Sequence, residues 1–465
     1  MSFRVRLGFV PSYRFRWSAW TQSMRDESIA ALGAVAGVEV VAPEGGVRSL
    51  DEAEETVELF ARERVDGVVL CPTDFGDERS ACKVAERLGA PVLLYATKEP
   101  AADPGPSLAR VSDSYCGNLS IAAGLHRRGI PFRFAGLFLP GDDGLAREFE
   151  AFARAVSVIK GFRNARIGQI GVRPPTFETV AYDEVAMARK FGQNVIFADL
   201  SEIVADAKRR ADDDPAVAAV AEDIRGSVRE VTVGDDYLLN AAKLELALVG
   251  FAERSGVSAL AMQCWPAIQR ALGISACAVF GRLTERGILA ACEADVLGAL
   301  SMLASYRAAL GRVPPHFIDW TIRHRDDTNL LLAWHCGNAP VCLAAVGRPT
   351  ALRSRSDMVG QGPPGRGDAQ AGLFQFQLKL GTVTFCRIAE YDGEWKMLIA
   401  RGDIEQSDEV HSGTWSWVRV PDHDRLYRTL VEEGFIHHAS MTHGDQIHAL
   451  RQACLFLGVQ PVVVE

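Results

Sequence analysis

Over the first 150 residues, short apolar runs alternate with longer stretches of amphipathic character. RVRLGFV, VEVVAPE, DGVVLCPTDF and APVLLYAT read as strands, and the stretches between them predict helices from about Trp20 to Ala36, Leu50 to Arg64 and Asp77 to Leu88. Strands this short and this apolar have no polar face to give to water, so helices must cover the sheet on both sides, which means parallel pairing. No GxGxxG follows the first strand, so a dinucleotide site of the usual kind is not indicated.

The pattern repeats and then changes. A helix from Leu145 to Ile159 leads into strands NARIGQIGVRP and QNVIFADL, a helical stretch EIVADAKRRADDDPAVAAVAEDI, a long helix from about Asp236 to Gly256, and the strand VSALAMQCW. The run from Gly287 to Leu310 reads as one largely apolar helix. Beyond Val313 the segments HFIDWTIRH, NLLLAWHC, LFQFQLKLGTVTFCRIAEYD, EWKMLIARGDI and GTWSWVRV are strand-rich and aromatic, as in a small barrel. Residues 354–372 are Gly/Pro-rich and polar and read as a loop. QIHALRQACLFLG and VQPVVV close the chain as helix and strand. At 465 residues the chain exceeds one ordinary core. The fold class expected is α/β, in three domains: 1–150 and 151–312 with parallel sheets, and 313–465 rich in β-structure.

A net charge of −9 and a pI near 5.7 argue against a nucleic-acid or anionic-membrane surface and favour a small-molecule role. None of the ten cysteines forms a CxxC pair, which argues against a structural zinc site. Several lie in apolar runs, the habit of buried thiols in a reducing compartment. The N-terminus reads as a strand and not a signal peptide, and no apolar run is long enough for a membrane span, so a cytoplasmic protein is expected.

Histidine is distributed unevenly. Of ten, only His126 precedes residue 310, and three fall within the seven residues His437 to His443. Metal binding or acid/base chemistry in the last third would account for this skew. Two adjacent histidines on a strand face opposite ways, so one of His437 and His438 enters a given site. His443 and His448 read as surface or supporting positions. Glu293 and Asp295 interrupt the apolar stretch LAACEADVLGAL; either they are acids favoured by a helix N-terminus, or a buried function holds them there. Asp319 in FIDWTI is either a core hydrogen-bond acceptor or a ligand. His335, where an apolar strand meets a Gly-Asn turn, is a satisfied core residue, a metal ligand or part of a substrate pocket. Gln263 and Trp265 end a strand just before a helix, where open α/β sheets bind ligands; packing and capping are the alternative. After the first strand, PSYRFRWSAW gathers Tyr13, Arg14, Arg16 and Trp17. This is either an ordinary surface loop or a place where aromatics stack on a sugar and arginines hold an anionic substituent.

Four of these segments resemble the L-fucose isomerase and L-arabinose isomerase family. ACEADVLGALSMLA is similar to the family's glutamate-bearing segment. PHFIDW is similar to the segment carrying the second carboxylate, and Asp319 follows Glu293 by 26 residues. HHASMTHGDQIHALRQACLFLGVQPVVV resembles the C-terminal histidine segment, a His followed by a small-residue turn and the last helix and strand. AMQCW resembles the family's Gln-x-Trp stretch. The likeness implies two Rossmann-like domains followed by a β-rich domain. It implies manganese or another divalent metal held by Glu293, Asp319 and His438. It also implies a homo-oligomer, a trimer or hexamer, in which a neighbour's N-terminal domain completes the pocket. The activity implied is aldose–ketose isomerisation of a monosaccharide through a cis-enediol, with Glu293 and Asp319 moving protons. The substrate is then either a neutral L-sugar or an anionic aldose such as sulfoquinovose. A non-catalytic sugar binder or vestigial family member is the alternative class, and stoichiometric metal would discriminate against it.

Overall fold

The first five strands are parallel, as the alternation requires. The computed structural model describes residues 3–99, 111–354 and 371–465. These form two compact units, one of Met1–Lys160 with Arg451–Gly458, the other of Gly161–Leu450 with Val459–Glu465.

In the first unit, β1 (Val5–Ser12), β2 (Val38–Val41), β3 (Gly67–Pro72), β4 (Val92–Thr97) and β5 (Arg133–Phe138) lie in the order β2-β1-β3-β4-β5. Every residue of β3 and β4 is buried, so both faces of the sheet are covered there. The helix Leu50–Arg62 begins with a reciprocal cap between Ser49 and Glu52, and Glu78–Leu88 is capped by Asp77 and stopped by left-handed Gly89. The helix Ser114–Arg127 and β5 continue the alternation beyond the segments identified from sequence.

The second unit contains a smaller parallel sheet and a barrel. β6 (Arg166–Ile170), β7 (Asn194–Ala198), β9 (Ala259–Met262) and β10 (Leu289–Ala291) are ordered β10-β9-β6-β7, and the two-residue β8 (Glu230–Val231) joins a different sheet. The barrel strands are β11 (His316–Arg323), β12 (Leu330–His335), β15 (Gly381–Tyr391), β16 (Glu394–Ile404), β17 (Thr414–Arg419) and β18 (His438–His443). They pair antiparallel in the order β16-β15-β18-β11-β12-β17, and β17 returns to β16, closing six strands. β13 (Ala351–Ser354) and β14 (Ala371–Gln377) extend this sheet beside β17, and β19 (Gln460–Val464) extends it beside β16. The α/β class with a barrel-like C-terminal part is therefore what the chain adopts. The stretch 355–370 of the Gly/Pro-rich loop lies outside the described residues.

Three local expectations are corrected. EIVADAKRRADDDPAVAAVAEDI is two helices, Leu200–Arg209 and Pro215–Gly226, because Asp214 caps a new helix that starts on Pro215. Gly287 to Leu310 is not one helix but strand, turn and helix: β10, then Cys292 to Asp295, then Val296–Ala308. The small residues after His438 form strand β18 instead of a turn.

The helix Val296–Ala308 is buried at every position, which explains its uniformly apolar pattern. It packs against β9 and β10 on one side and β15 and β18 on the other. Its few hydroxyls find partners: Ser301 Oγ accepts the Ile388 N–H at 2.9 Å, and Ser440 Oγ donates to Ser305 Oγ at 3.0 Å. No helix among the described residues is long and apolar enough to cross a membrane.

Candidate active site

The corrected strand–turn–helix brings Glu293 to the C-terminal end of the second unit's parallel sheet. Glu293 and Ala294 both adopt left-handed backbone, each with φ of 55°. Non-glycine residues held there cost on the order of 1 kcal/mol each, strain that persists only where the surroundings fix it. Asp295 ends the turn. Its Oδ1 accepts the Gly298 N–H at 2.8 Å, capping the helix as one sequence reading required. Gly298 has to be glycine, since a Cβ would stand 2.6 Å from Asp295 Oδ2 and 2.6 Å from the Phe317 ring.

Barrel register supplies the other half. Asp319 on β11 sits directly opposite His438 on β18, so both side chains leave the same face. His438 is 1% exposed, whereas its neighbour His437 is exposed, the separation expected of consecutive strand residues. His335 ends β12 and is buried.

These side chains converge. His438 Nε2 lies 3.4 Å from Glu293 Oε2 and 3.6 Å from Asp319 Oδ1, and His335 Nε2 lies 3.9 Å from each of the same two oxygens. Glu293 Oε2 and Asp319 Oδ1 are buried and accept no hydrogen bond from the described residues. A buried carboxylate oxygen without a donor is costly, so the pair calls for a positive partner. The remaining atoms are held in place. The Trp265 indole N–H donates to Glu293 Oε1 at 3.1 Å. His438 Nδ1–H donates to Asp295 Oδ2 at 2.9 Å, so that in the neutral ring the Nε2 lone pair faces the carboxylates. His335 Nδ1 accepts the Cys336 N–H at 2.8 Å, so in its neutral form Nε2 carries the proton and can donate it. Asp295 is also gripped by Arg387, at 2.5 and 3.2 Å.

Burial raises the carboxyl pKa of both open carboxylates. Asp319 is pushed up to about 7, with the Glu293 charge adding to burial and His438 opposing it. Glu293 is also raised, with burial the main cause and His438 and Trp265 opposing. Asp295 goes the other way: burial would raise it, but Arg387 and His438 together hold it well below the usual range. For His438, burial favours the neutral ring, yet the Asp295 hydrogen bond and the surrounding carboxylate charges outweigh burial and raise it. Burial pushes His437 down to about 4.

Of the residues selected from sequence, Glu293, Asp319, His335, His438 and Trp265 come together. Gln263 does not join them through any contact described. Its side-chain oxygen accepts the Val172 N–H at 3.4 Å, at the end of β6. Tyr13, Arg14, Arg16 and Trp17 belong to the first unit, where Tyr13 and Trp17 pack edge to face and Arg14 is tied to Glu78 and to the Gly76 carbonyl. Arg16 is exposed. Arg387 and Phe177 were missed. Phe177 stacks on His438 and packs edge-on against Trp265 and His437. A lone Arg inside the buried strand TVTFCRIAE was a readable signal for Arg387; a Phe in the loop PPTFET gives none.

Two carboxylates and an imidazole at one point, with a donor-bearing indole and a second imidazole beside them, can hold a cation and move a proton on a polyol. The family model "Fucose/sulfoquinovose isomerase, N-terminal domain" matches residues 18–163, and "L-fucose isomerase, C-terminal domain" matches residues 333–464. The molecule is thus an aldose–ketose sugar isomerase. Sulfoquinovose isomerases align over most of its length: that of Alkalicoccus urumqiensis is 27% identical, covering 86% of each chain. Those of Priestia megaterium (strain ATCC 12872 / QMB1551) and Clostridium sp. (strain MSTE9) are 24% and 25% identical, each covering 87% of both chains. The chain belongs to the L-fucose isomerase-like family. Among solved structures, a periplasmic solute-binding protein from Actinobacillus succinogenes 130z with bound D-allose aligns with a TM-score of 0.18 and 10% identity, a likeness that carries no weight here.

Proposed function

We propose that this isomerase is metal-dependent, that Glu293, Asp319 and His438 hold the cation, and that its substrate is a sulfonated aldose of the sulfoquinovose type. The observation that carries the metal reading is a pair of buried oxygens, Glu293 Oε2 and Asp319 Oδ1, that have no donor among the described residues and lie 3.4 and 3.6 Å from His438 Nε2. Two oxygens and one imidazole suit a hard or borderline ion such as Mn²⁺. When bound, such an ion acts as a Lewis acid, polarising the sugar carbonyl and making the neighbouring C–H more acidic. The sulfonated substrate is supported by the names of the aligned relatives.

The chain's own groups then divide the work. Isomerisation moves a proton between C2 and C1 through a cis-enediol. One of Glu293 and Asp319 takes the proton, and the other returns it to the adjacent carbon. Trp265 fixes Glu293 Oε1 so that Oε2 is the oxygen presented. Asp295 fixes the tautomer and tilt of His438, and His335 Nε2–H is placed to donate to a sugar hydroxyl. The rings of Phe177 and Phe317 pack on the His438 imidazole and help fix its position.

Elemental analysis and calorimetry test this. Wild type is expected to hold about one divalent ion per chain, and His438→Ala to lose affinity by at least about 100-fold, more than a supporting residue would cost. Turnover should then appear on a sulfonated aldose ahead of neutral sugars. Full turnover by protein stripped of metal with a chelator would end the metal reading.

A pH dependence follows for the metal-free site. Asp319 is protonated below about 7 and must lose that proton to bind a cation. His438, whose pKa is also raised, must likewise be neutral to bind, so manganese affinity is expected to weaken as pH falls through 7, with proton release on binding greatest on the acidic side. Calorimetry at about pH 6 and about pH 8 reads this directly; equal affinity at both would overturn this pH dependence.

A further inference from the structure

Glu293 presents two different faces. Oε2 looks toward the imidazoles of His438 and His335, while Oε1 is turned to Trp265 and to the thiol of Cys264, 3.8 Å away. On the thiol side a cavity of about 20 Å³ is lined by Cys264, Cys277, Cys292 and Cys336, together with Glu293 and His335. Four of the ten cysteines in the chain meet at this one water-sized space. Packing alone does not call for that, since a buried free cysteine behaves as any small apolar residue and can sit anywhere in a core. The topology explains how the thiols meet. Cys264 lies just past β9 and Cys292 just past β10, neighbouring parallel strands, so both leave the same edge of the sheet. Both are buried. Their sulfurs and a Glu293 oxygen all lie within 4.8 Å of one another. Two sulfurs and one oxygen form a soft donor set, unlike the oxygen and nitrogen set on the other face of the same carboxylate.

We infer that Cys264, Cys292 and Glu293 form a second cation site, selective for a thiophilic ion such as zinc or cadmium, and that filling it slows the isomerase. On binding, each thiol gives a proton to solvent, the ion gains two thiolates and one carboxylate oxygen, and no electron is transferred. The cavity, about 20 Å³ against the roughly 10–15 Å³ that one water needs, gives room for a single ion beside these donors. An ion on Oε1 draws negative charge from Oε2 and competes with the Trp265 hydrogen bond. The slowing rests on the role proposed above for Glu293; the binding does not.

Cadmium is the probe, because its thiolate bonds give an ultraviolet charge-transfer band. Titrated into the whole protein with manganese present, cadmium is expected to saturate that band at about one ion per chain. Cys292→Ser should abolish the band while manganese still binds, since a hydroxyl keeps the Asn338 side-chain contact but is no soft ligand. The exposed Cys116 and Cys342 make this comparison necessary, and an undiminished band in Cys292→Ser overturns the site. X-ray absorption at the cadmium edge of wild type needs no variant: two sulfur neighbours are expected, and a shell of oxygen and nitrogen alone overturns it. Manganese-supported turnover should fall by about tenfold or more as the band saturates, and should be spared in Cys292→Ser. If cadmium fills the thiols and turnover is untouched, the inhibition is overturned while metal-dependent isomerisation stands. If no manganese-dependent turnover exists at all, it is the catalytic reading that fails, and the band alone decides the thiol site.

Discussion

Glu293→Gln is expected to lower kcat by about 10²- to 10⁴-fold without lowering stability. The substitution is isosteric, and the amide oxygen can still accept the Trp265 indole N–H that Glu293 Oε1 accepts. What is lost is the capacity to carry a proton. Stability should hold or rise, for two reasons. Burial opposes the charged form of Glu293, and its Oε2 has no hydrogen-bond donor among the described residues. The left-handed backbone at Glu293 and Ala294 is set by the turn and not by the charge, so the strain is the same in both proteins. A residue whose removal costs activity and spares the fold is the signature of a strained functional position. Steady-state kinetics beside thermal unfolding reads both quantities. Full turnover of Glu293→Gln with cation bound would show that this carboxylate moves no proton.

Much of the site was legible because its chemistry conflicts with its surroundings. Glu293 and Asp319 stand out as carboxylates inside apolar runs, and burial makes such positions hard to explain by packing alone. The two-residue period of a strand admits only one of His437 and His438 to the site, the resemblance to the family's histidine segment selected His438, and the structure buries His438 and exposes His437. The parallel sheets were legible from alternation. What sequence hid has physical causes. The turn at Glu293 uses left-handed residues that are not glycine, so a helix-like pattern runs straight through it. The closure of the barrel between β16 and β17 depends on two short register contacts, Asp403 with Arg419 and Ile404 with Val418, which no local pattern encodes. Phe177 reaches His438 from a loop with no period at all.

Asp295 illustrates the other limit, since its capping role was readable and its second role was not. Its carboxylate has three partners at once: the Gly298 N–H, the Arg387 guanidinium and His438 Nδ1–H. Asp295→Ala is therefore expected to destabilise the protein by about 3–5 kcal/mol, chiefly because Arg387 is left buried and unpaired. Loss of the helix cap adds about 1 kcal/mol. Adding Arg387→Met to the Asp295→Ala variant removes the orphaned charge, and replacing a buried ion pair by apolar groups is often close to neutral. The double variant should thus regain most of the lost stability, short of the cap. Metal affinity should not return with it. His438 would still lack the acceptor that holds Nδ1–H and aims Nε2, and losing such a partner costs roughly 10- to 100-fold in affinity. Calorimetric unfolding and manganese titration of the single and double variants separate the two roles. If affinity recovers together with stability, Asp295 acts only through the fold; if stability recovers alone, it positions His438.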